Sequence, residues 1–146
     1  MSYGVIGLVF SANIKAPAAK RLLDRLGITA GHGGRRQDGS LYYMIREQGN
    51  LFDVQTIELS PWLSVIIGKV EDLPGTLVVP GLLFGPKTTA DSERRVLRRL
   101  GFKTVPHGGR RNDGWLQYVE GLTDAKKREE IKLSGYFGLI AGISKR

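Results

Sequence analysis

The chain is 146 residues long, with a formal charge of +8 at neutral pH, 41% hydrophobic and 25% charged residues, and no cysteine. That balance excludes a disordered tail, a fibrous repeat, disulfides and thiolate metal sites, and it suits one domain, or two very small ones sharing a core, in a reducing compartment. No apolar run approaches the roughly twenty residues of a membrane span, and no basic segment precedes an apolar one at the N-terminus, so a cytoplasmic protein without a membrane partner is expected.

The first predicted element is a buried strand from Val5 to Phe10, an apolar, Gly-flanked run rich in β-branched and aromatic residues. A helix follows over about Ala16 to Leu26, where Ala19, Leu22, Leu23 and Leu26 recur at three- and four-residue spacing and Gly27 stands ready as a left-handed C-terminal cap. Ile28 to Arg36 and Leu41 to Arg46 flank Gln37-Asp38-Gly39, and Asp-Gly between extended segments predicts a β-hairpin. Asn50 to Leu59 has weak propensity; a helix is expected from its counterpart later in the chain, with a strand as the alternative. Trp62 to Val70 closes the series as a strand, with a helix over Pro61 to Val70 as the rival because Ser-Pro is a good helix start.

From residue 75 the same series returns. Leu77 to Phe84 predicts a strand in which Pro80 marks a bulge or an edge. A helix from Asp91 to Leu100 follows, with Asp91 or Ser92 as its cap, Val96, Leu97 and Leu100 on its apolar stripe, and Gly101 beyond its end. A second hairpin turns at Asn112-Asp113-Gly114 into Trp115 to Glu120. Thr123-Asp124 ahead of Ala125-Lys126-Lys127-Arg128-Glu129-Glu130-Ile131 reads as a capped helix, and Tyr136 to Ile143 as the last strand. At an offset of 74 or 75 residues, Gly7-Leu8-Val9-Phe10 matches Gly81-Leu82-Leu83-Phe84, and Leu59-Ser60 ahead of Trp62 matches Leu133-Ser134 ahead of Tyr136. The expected fold is therefore α+β: a tandem duplication of a 74-residue βαββαβ, ferredoxin-like unit, residues 1–74 and 75–146, with pseudo-two-fold symmetry.

The strongest match between the halves is His32-Gly33-Gly34-Arg35-Arg36-Gln37-Asp38-Gly39 against His107-Gly108-Gly109-Arg110-Arg111-Asn112-Asp113-Gly114, seven positions of eight being identical. Paired glycines allow close backbone approach to a ligand and turn N–H groups toward an anion, while two arginines offer forked donors suited to phosphate. A hairpin needs the Asp-Gly; it has no structural need for a histidine and two arginines in both copies. The opposing reading is that Gly-Gly makes a bulge and Arg-Arg is a solvated edge that discourages strand addition. His32 and His107 are the catalytic candidates, since an imidazole beside two guanidiniums is pushed toward its neutral, basic form. Each lacks an obvious acid partner. One His and one Asp per hairpin do not complete a metal site, so neither metal nor cofactor is expected.

Charge is unevenly placed. Residues 1–74 carry eight Lys/Arg against seven Asp/Glu, whereas residues 75–146 carry fourteen against seven. Arg94, Arg95, Arg98 and Arg99 make the second helix basic on its outer face, and with Arg110 and Arg111 they form a plausible phosphate track. Tyr42, Tyr43, Trp115 and Tyr118 are expected as core or inter-repeat contacts. The resulting expectation is a non-enzymatic protein that binds RNA or DNA through its two hairpins and basic helix. The alternatives are a nucleotide binder or modifier whose hairpins close one pocket, a His-dependent nuclease, and a basic inhibitor of an acidic protein.

Overall fold

The computed structural model describes residues 2–29, 32–46, 49–87, 90–99, 101–102, 107–119 and 125–144. Its first half contains β1 (Tyr3–Phe10), α1 (Ala16–Arg25), β2 (His32–Arg35), β3 (Leu41–Met44), β4 (Phe52–Glu58) and β5 (Leu63–Lys69). The second contains β6 (Thr76–Phe84), α2 (Ala90–Arg99), β7 (His107–Arg110), β8 (Leu116–Val119), β9 (Lys126–Lys132) and β10 (Phe137–Ser144). The strands form two five-stranded antiparallel sheets, ordered β2-β3-β1-β5-β4 and β7-β8-β6-β10-β9. The protein is thus a mixed α+β chain with few helices, and no helix among the described residues is long and apolar enough to cross a membrane.

The continuous apolar runs of β1 and β6 have a simple cause: each is the central strand of its sheet, so every one of the eight β1 residues is buried. Pro80 is tolerated in such a strand because it falls where the pairing of β6 with β10 shifts register, between the Gly81–Ile140 and Val78–Gly142 pairs. A bulge there needs no ladder N–H. Ile6 holds the corresponding bulge in β1.

The expected second helix of each half is a strand. Lys126–Lys132 favours a helix by only a few tenths of a kcal/mol per residue, which is less than the edge position beside β10 offers it through a hydrogen-bonded ladder and burial of one face. Glu129 and Ile131 are turned inward and their neighbours are exposed, the alternation of a half-covered strand. Phe52–Glu58 does the same beside β5, and Leu63–Lys69 excludes the rival helix at Pro61 to Val70. Each half therefore runs βαββββ with a wholly antiparallel sheet, in place of the βαββαβ ferredoxin-like order. The edge strands β4 and β9 each carry a bulge with a left-handed non-glycine residue, Asp53 (φ 50°) and Lys127 (φ 51°). The Thr123-Asp124 cap lies outside the described residues. Because α2 begins at Ala90, Asp91 and Ser92 stand in its first turn, not ahead of it.

Both helices end in the same way. Gly27 and Gly101 adopt left-handed φ values of +70° and +90°. Ile28 N–H reaches back to the Leu23 carbonyl (3.0 Å) and Phe102 N–H to that of Leu97 (2.9 Å), which satisfies carbonyls the helix leaves open. Each end is also gripped by the opposite half. Tyr136 packs on Gly27 and Trp62 on Gly101, while Ser134 Oγ donates to the Leu26 carbonyl. At the base of the sheets, Tyr3 Oη donates to the Lys127 carbonyl (2.8 Å), and Ser2 N–H to Glu129 Oε2 (2.7 Å). One apolar cluster draws Leu8, Phe10, Leu22, Leu23 and Val65 from the first half and Leu82, Phe84, Val96, Leu97 and Leu139 from the second. The connection between halves is equally tied down: buried Lys69 Nζ donates to Asp53 Oδ2 (3.0 Å) and to the carbonyls of Leu73 (2.8 Å) and Gly75 (2.9 Å).

Candidate functional site

The repeated octapeptide forms an edge strand and the tip of a hairpin in each sheet, β2–β3 and β7–β8. The tips close identically. Arg36 N–H donates to Ser40 O (2.8 Å) and Gly39 N–H to Arg36 O (3.0 Å); Arg111 N–H donates to Trp115 O (2.8 Å) and Gly114 N–H to Arg111 O (2.9 Å). Gly39 and Gly114 take φ values near +90°, which explains the Gly of each Asp-Gly pair. The aspartates serve the turn: Asp38 Oδ1 accepts from Ser40 N–H (2.9 Å) and Ser40 Oγ (2.6 Å), and Asp113 Oδ1 from Trp115 N–H (3.0 Å). Hydrogen bonds from Ser40 hold the Asp38 carboxyl below the usual carboxylate range, with Arg36 assisting.

The Gly-Gly pair of the first hairpin has an internal explanation. Gly33 stands opposite Tyr43 and Gly34 opposite Tyr42. A Cβ at position 33 would lie 2.8 Å from Tyr43 Cδ1 and 2.9 Å from the Tyr42 carbonyl, and one at position 34 would lie 2.9 Å from the Tyr42 hydroxyl. Cross-strand tyrosine rings thus occupy the side toward which a Cβ at either glycine would point, while Gly33 itself remains exposed. Tyr43 continues into the core, edge-on to Phe10 at 5.9 Å between centroids. The side-chain surroundings of Gly108 and Gly109, and the imidazoles of His32 and His107, lie outside the described side chains.

The four hairpin arginines fall into three situations. Arg35 and Arg110 are equivalent: Nη1 of each donates to the carbonyl of its own turn glycine, Gly39 or Gly114, at 2.6 Å, and both side chains are exposed. Arg111 is committed to the protein's own carboxylates, bonding Asp113 and Glu130 on edge strand β9. Its pKa is raised by those bonds, and Arg111 in turn lowers that of Asp113. Arg36 is exposed and has no salt-bridged carboxylate among the described residues. The difference follows from one residue of the edge strand: Glu130 stands opposite Ile140 in the second sheet, where Thr56 stands opposite Ile66 in the first. Trp115 covers Leu83 and Ile140 on the outer face of the second sheet, with Lys132 Nζ 4.6 Å from its ring centroid. Ser40 occupies the corresponding place in the first hairpin.

The contacts also fix where each tip lies. Gly39 abuts Ala12, Ser11 N–H donates to the Trp62 carbonyl (3.0 Å), and Trp62 packs on Gly101 at the end of α2. The first tip and the C-terminus of α2 therefore share one end of the molecule. Gly114 abuts Pro86, Gly85 N–H donates to the Tyr136 carbonyl (2.9 Å), and Tyr136 packs on Gly27 at the end of α1, so the second tip shares the other end with the C-terminus of α1. The antiparallel helices span the interval, roughly 15 Å for ten residues.

This rearranges the basic track expected from sequence. Arg94, Arg95, Arg98 and Arg99 are all exposed on α2, but the helix leads away from Arg110 and Arg111. Its last turn delivers Arg98 and Arg99 to the end that holds Arg35 and Arg36. Sequence reasoning passed over Trp62 and Tyr136, which are 38% and 43% exposed at these ends; their signal was the repeated Leu-Ser-x-aromatic, matched between halves without a role. A cavity of about 300 Å³ lies elsewhere, between Pro74, Gly75, Lys126, Lys127, Ile143 and Ser144, and touches neither hairpin. Compared with known protein families, curated proteins and solved structures, the chain matches none.

Proposed function

We propose that this protein binds nucleic acid by its phosphates, without catalysing a reaction, through the exposed arginines of its hairpin tips and of α2. The observation that carries the reading is the pair of 2.6 Å bonds from Arg35 and Arg110 to the carbonyls of their own turns. A guanidinium anchored to a carbonyl keeps its charge and is oriented before a ligand arrives, with its other N–H groups left for phosphate oxygens, so less side-chain entropy is lost on binding. The surplus of +8 supplies the long-range attraction. Reading residues 1–74 and 75–146 as two copies of one ancestral unit accounts for the identical tips, and a cytoplasmic setting suits a cysteine-free chain.

A nucleotide clasped between the tips is disfavoured because they occupy opposite ends of the helix pair. Fluorescence anisotropy of labelled single- and double-stranded oligonucleotides across a salt series, with labelled ATP alongside, tests the reading. Binding of an oligonucleotide that weakens steeply with salt, with ATP held far more weakly, is expected. Salt-insensitive binding, or none, overturns it.

A further inference from the structure

We infer that the end of the molecule holding the first hairpin is a platform for single-stranded nucleic acid, with Trp62 stacking on an unpaired base while Arg35, Arg36, Arg98 and Arg99 hold the flanking phosphates. The inference rests on the phosphate-binding reading above and adds to it the binding end, the strandedness of the ligand and the base contact. Trp62 lies in the turn between β4 and β5. Part of its ring rests on Gly101, and 38% of the residue remains exposed. An exposed large aromatic at an end that also holds exposed arginines is what a single strand requires, because every base has a π-face to stack and every nucleotide a phosphate to neutralise. A duplex hides its base faces in its own stack and gains nothing from Trp62.

The pseudo-symmetric end is a weaker candidate on electrostatic grounds. It presents Tyr136, Arg110 and, from the last turn of α1, Arg25 beside Asp24, but Arg111 is already paired with Asp113 and Glu130. At the first end the same position is Arg36, which forms no salt bridge among the described residues, and the nearby Asp38 is hydrogen-bonded to Ser40. Four exposed arginines with no salt bridge among the described residues, Arg35, Arg36, Arg98 and Arg99, thus share an end with the more strongly stacking aromatic.

Trp62 reports on its own occupancy, since the chain has two tryptophans and the other, Trp115, is only 7% exposed. The full chain is titrated with unlabelled oligodeoxythymidine and with a duplex of equal length, and intrinsic tryptophan fluorescence is followed beside anisotropy. The expected result is saturable quenching by the single strand, tighter binding of the single strand than of the duplex, and loss of the quenching in Trp62→Leu with about 5- to 150-fold weaker affinity. Trp62→Phe, which keeps a ring over Gly101, should retain most of the affinity. The wild-type titration needs no variant, so a folding defect in Trp62→Leu leaves it standing. Salt-dependent binding with no quenching, or a preference for duplex, overturns the single-strand platform and leaves the phosphate reading intact. Failure to bind either ligand overturns both.

Discussion

Arg36 and Arg111 occupy the same place in two copies of one octapeptide, yet the structure gives them opposite expectations. At the first end Arg35, Arg36, Arg98 and Arg99 are exposed, and none is salt-bridged among the described residues. If each neutralises one phosphate of a single strand, the logarithm of the binding constant should fall with the logarithm of salt at a slope of about −2.8, so a fourfold rise in salt weakens binding about 50-fold. Arg36→Ala removes one contact and should lower the slope to about −2.1. Arg111→Ala removes a guanidinium already spent on Asp113 and Glu130, at the far end of the helices, and should leave the slope near −2.8. The two variants carry the same net charge, so the comparison cancels the long-range field and isolates local contact. Anisotropy with labelled oligodeoxythymidine between about 50 and 200 mM salt measures both slopes, with circular dichroism confirming that each variant is folded. Equal reductions in the two variants, or a reduction in Arg111→Ala alone, would refute the account of the ends.

Three further outcomes test the architecture. Ser134 Oγ accepts from Tyr136 and Phe137 N–H groups at 3.1 Å each and donates to the Leu26 carbonyl, so Ser134→Ala should cost about 1–3 kcal/mol in urea unfolding, largely restored by Ser134→Thr; an unchanged midpoint would count against the cross-half latch. Gly33→Ala must displace Tyr43 or the Tyr42 carbonyl and should lower stability by about 1–3 kcal/mol, whereas an open ligand-facing glycine would accept alanine without loss on a thermal melt. Burial first, then the negative charge of Glu129, raises the pKa of Tyr3 above the ordinary value of 10.0. Its contribution is therefore intact below pH 10 and is lost as pH rises from there through the folded-state value. Tyr3→Phe should flatten that alkaline loss while giving up the bond to Lys127 O, and identical alkaline limbs for both proteins would sink the assignment.

The first strand and helix of each half were legible in sequence because local signals agreed with tertiary placement: apolar runs, three- and four-residue spacing and a glycine at each helix end. The hairpin tips were legible for the same reason, since Asp-Gly dictates its own turn. Lys126–Lys132 was misread because its propensity favours a helix and its partner, β10, lies downstream in the chain. That tyrosine rings of the neighbouring strand lie against Gly33 and Gly34 was not legible, because nothing local says where those rings fall.

By itself, then, the sequence determined what depends on near neighbours: the repeated octapeptide, two helices, two tight turns and a strongly basic second half. Tertiary structure alone decided which arginines remain available. Availability depends on a carboxylate, Glu130, presented by one edge strand where Thr56 stands on the other, and on helices that carry charge from one half to the end occupied by the other. Those are relations between residues far apart in the chain, and no local propensity or spacing encodes them.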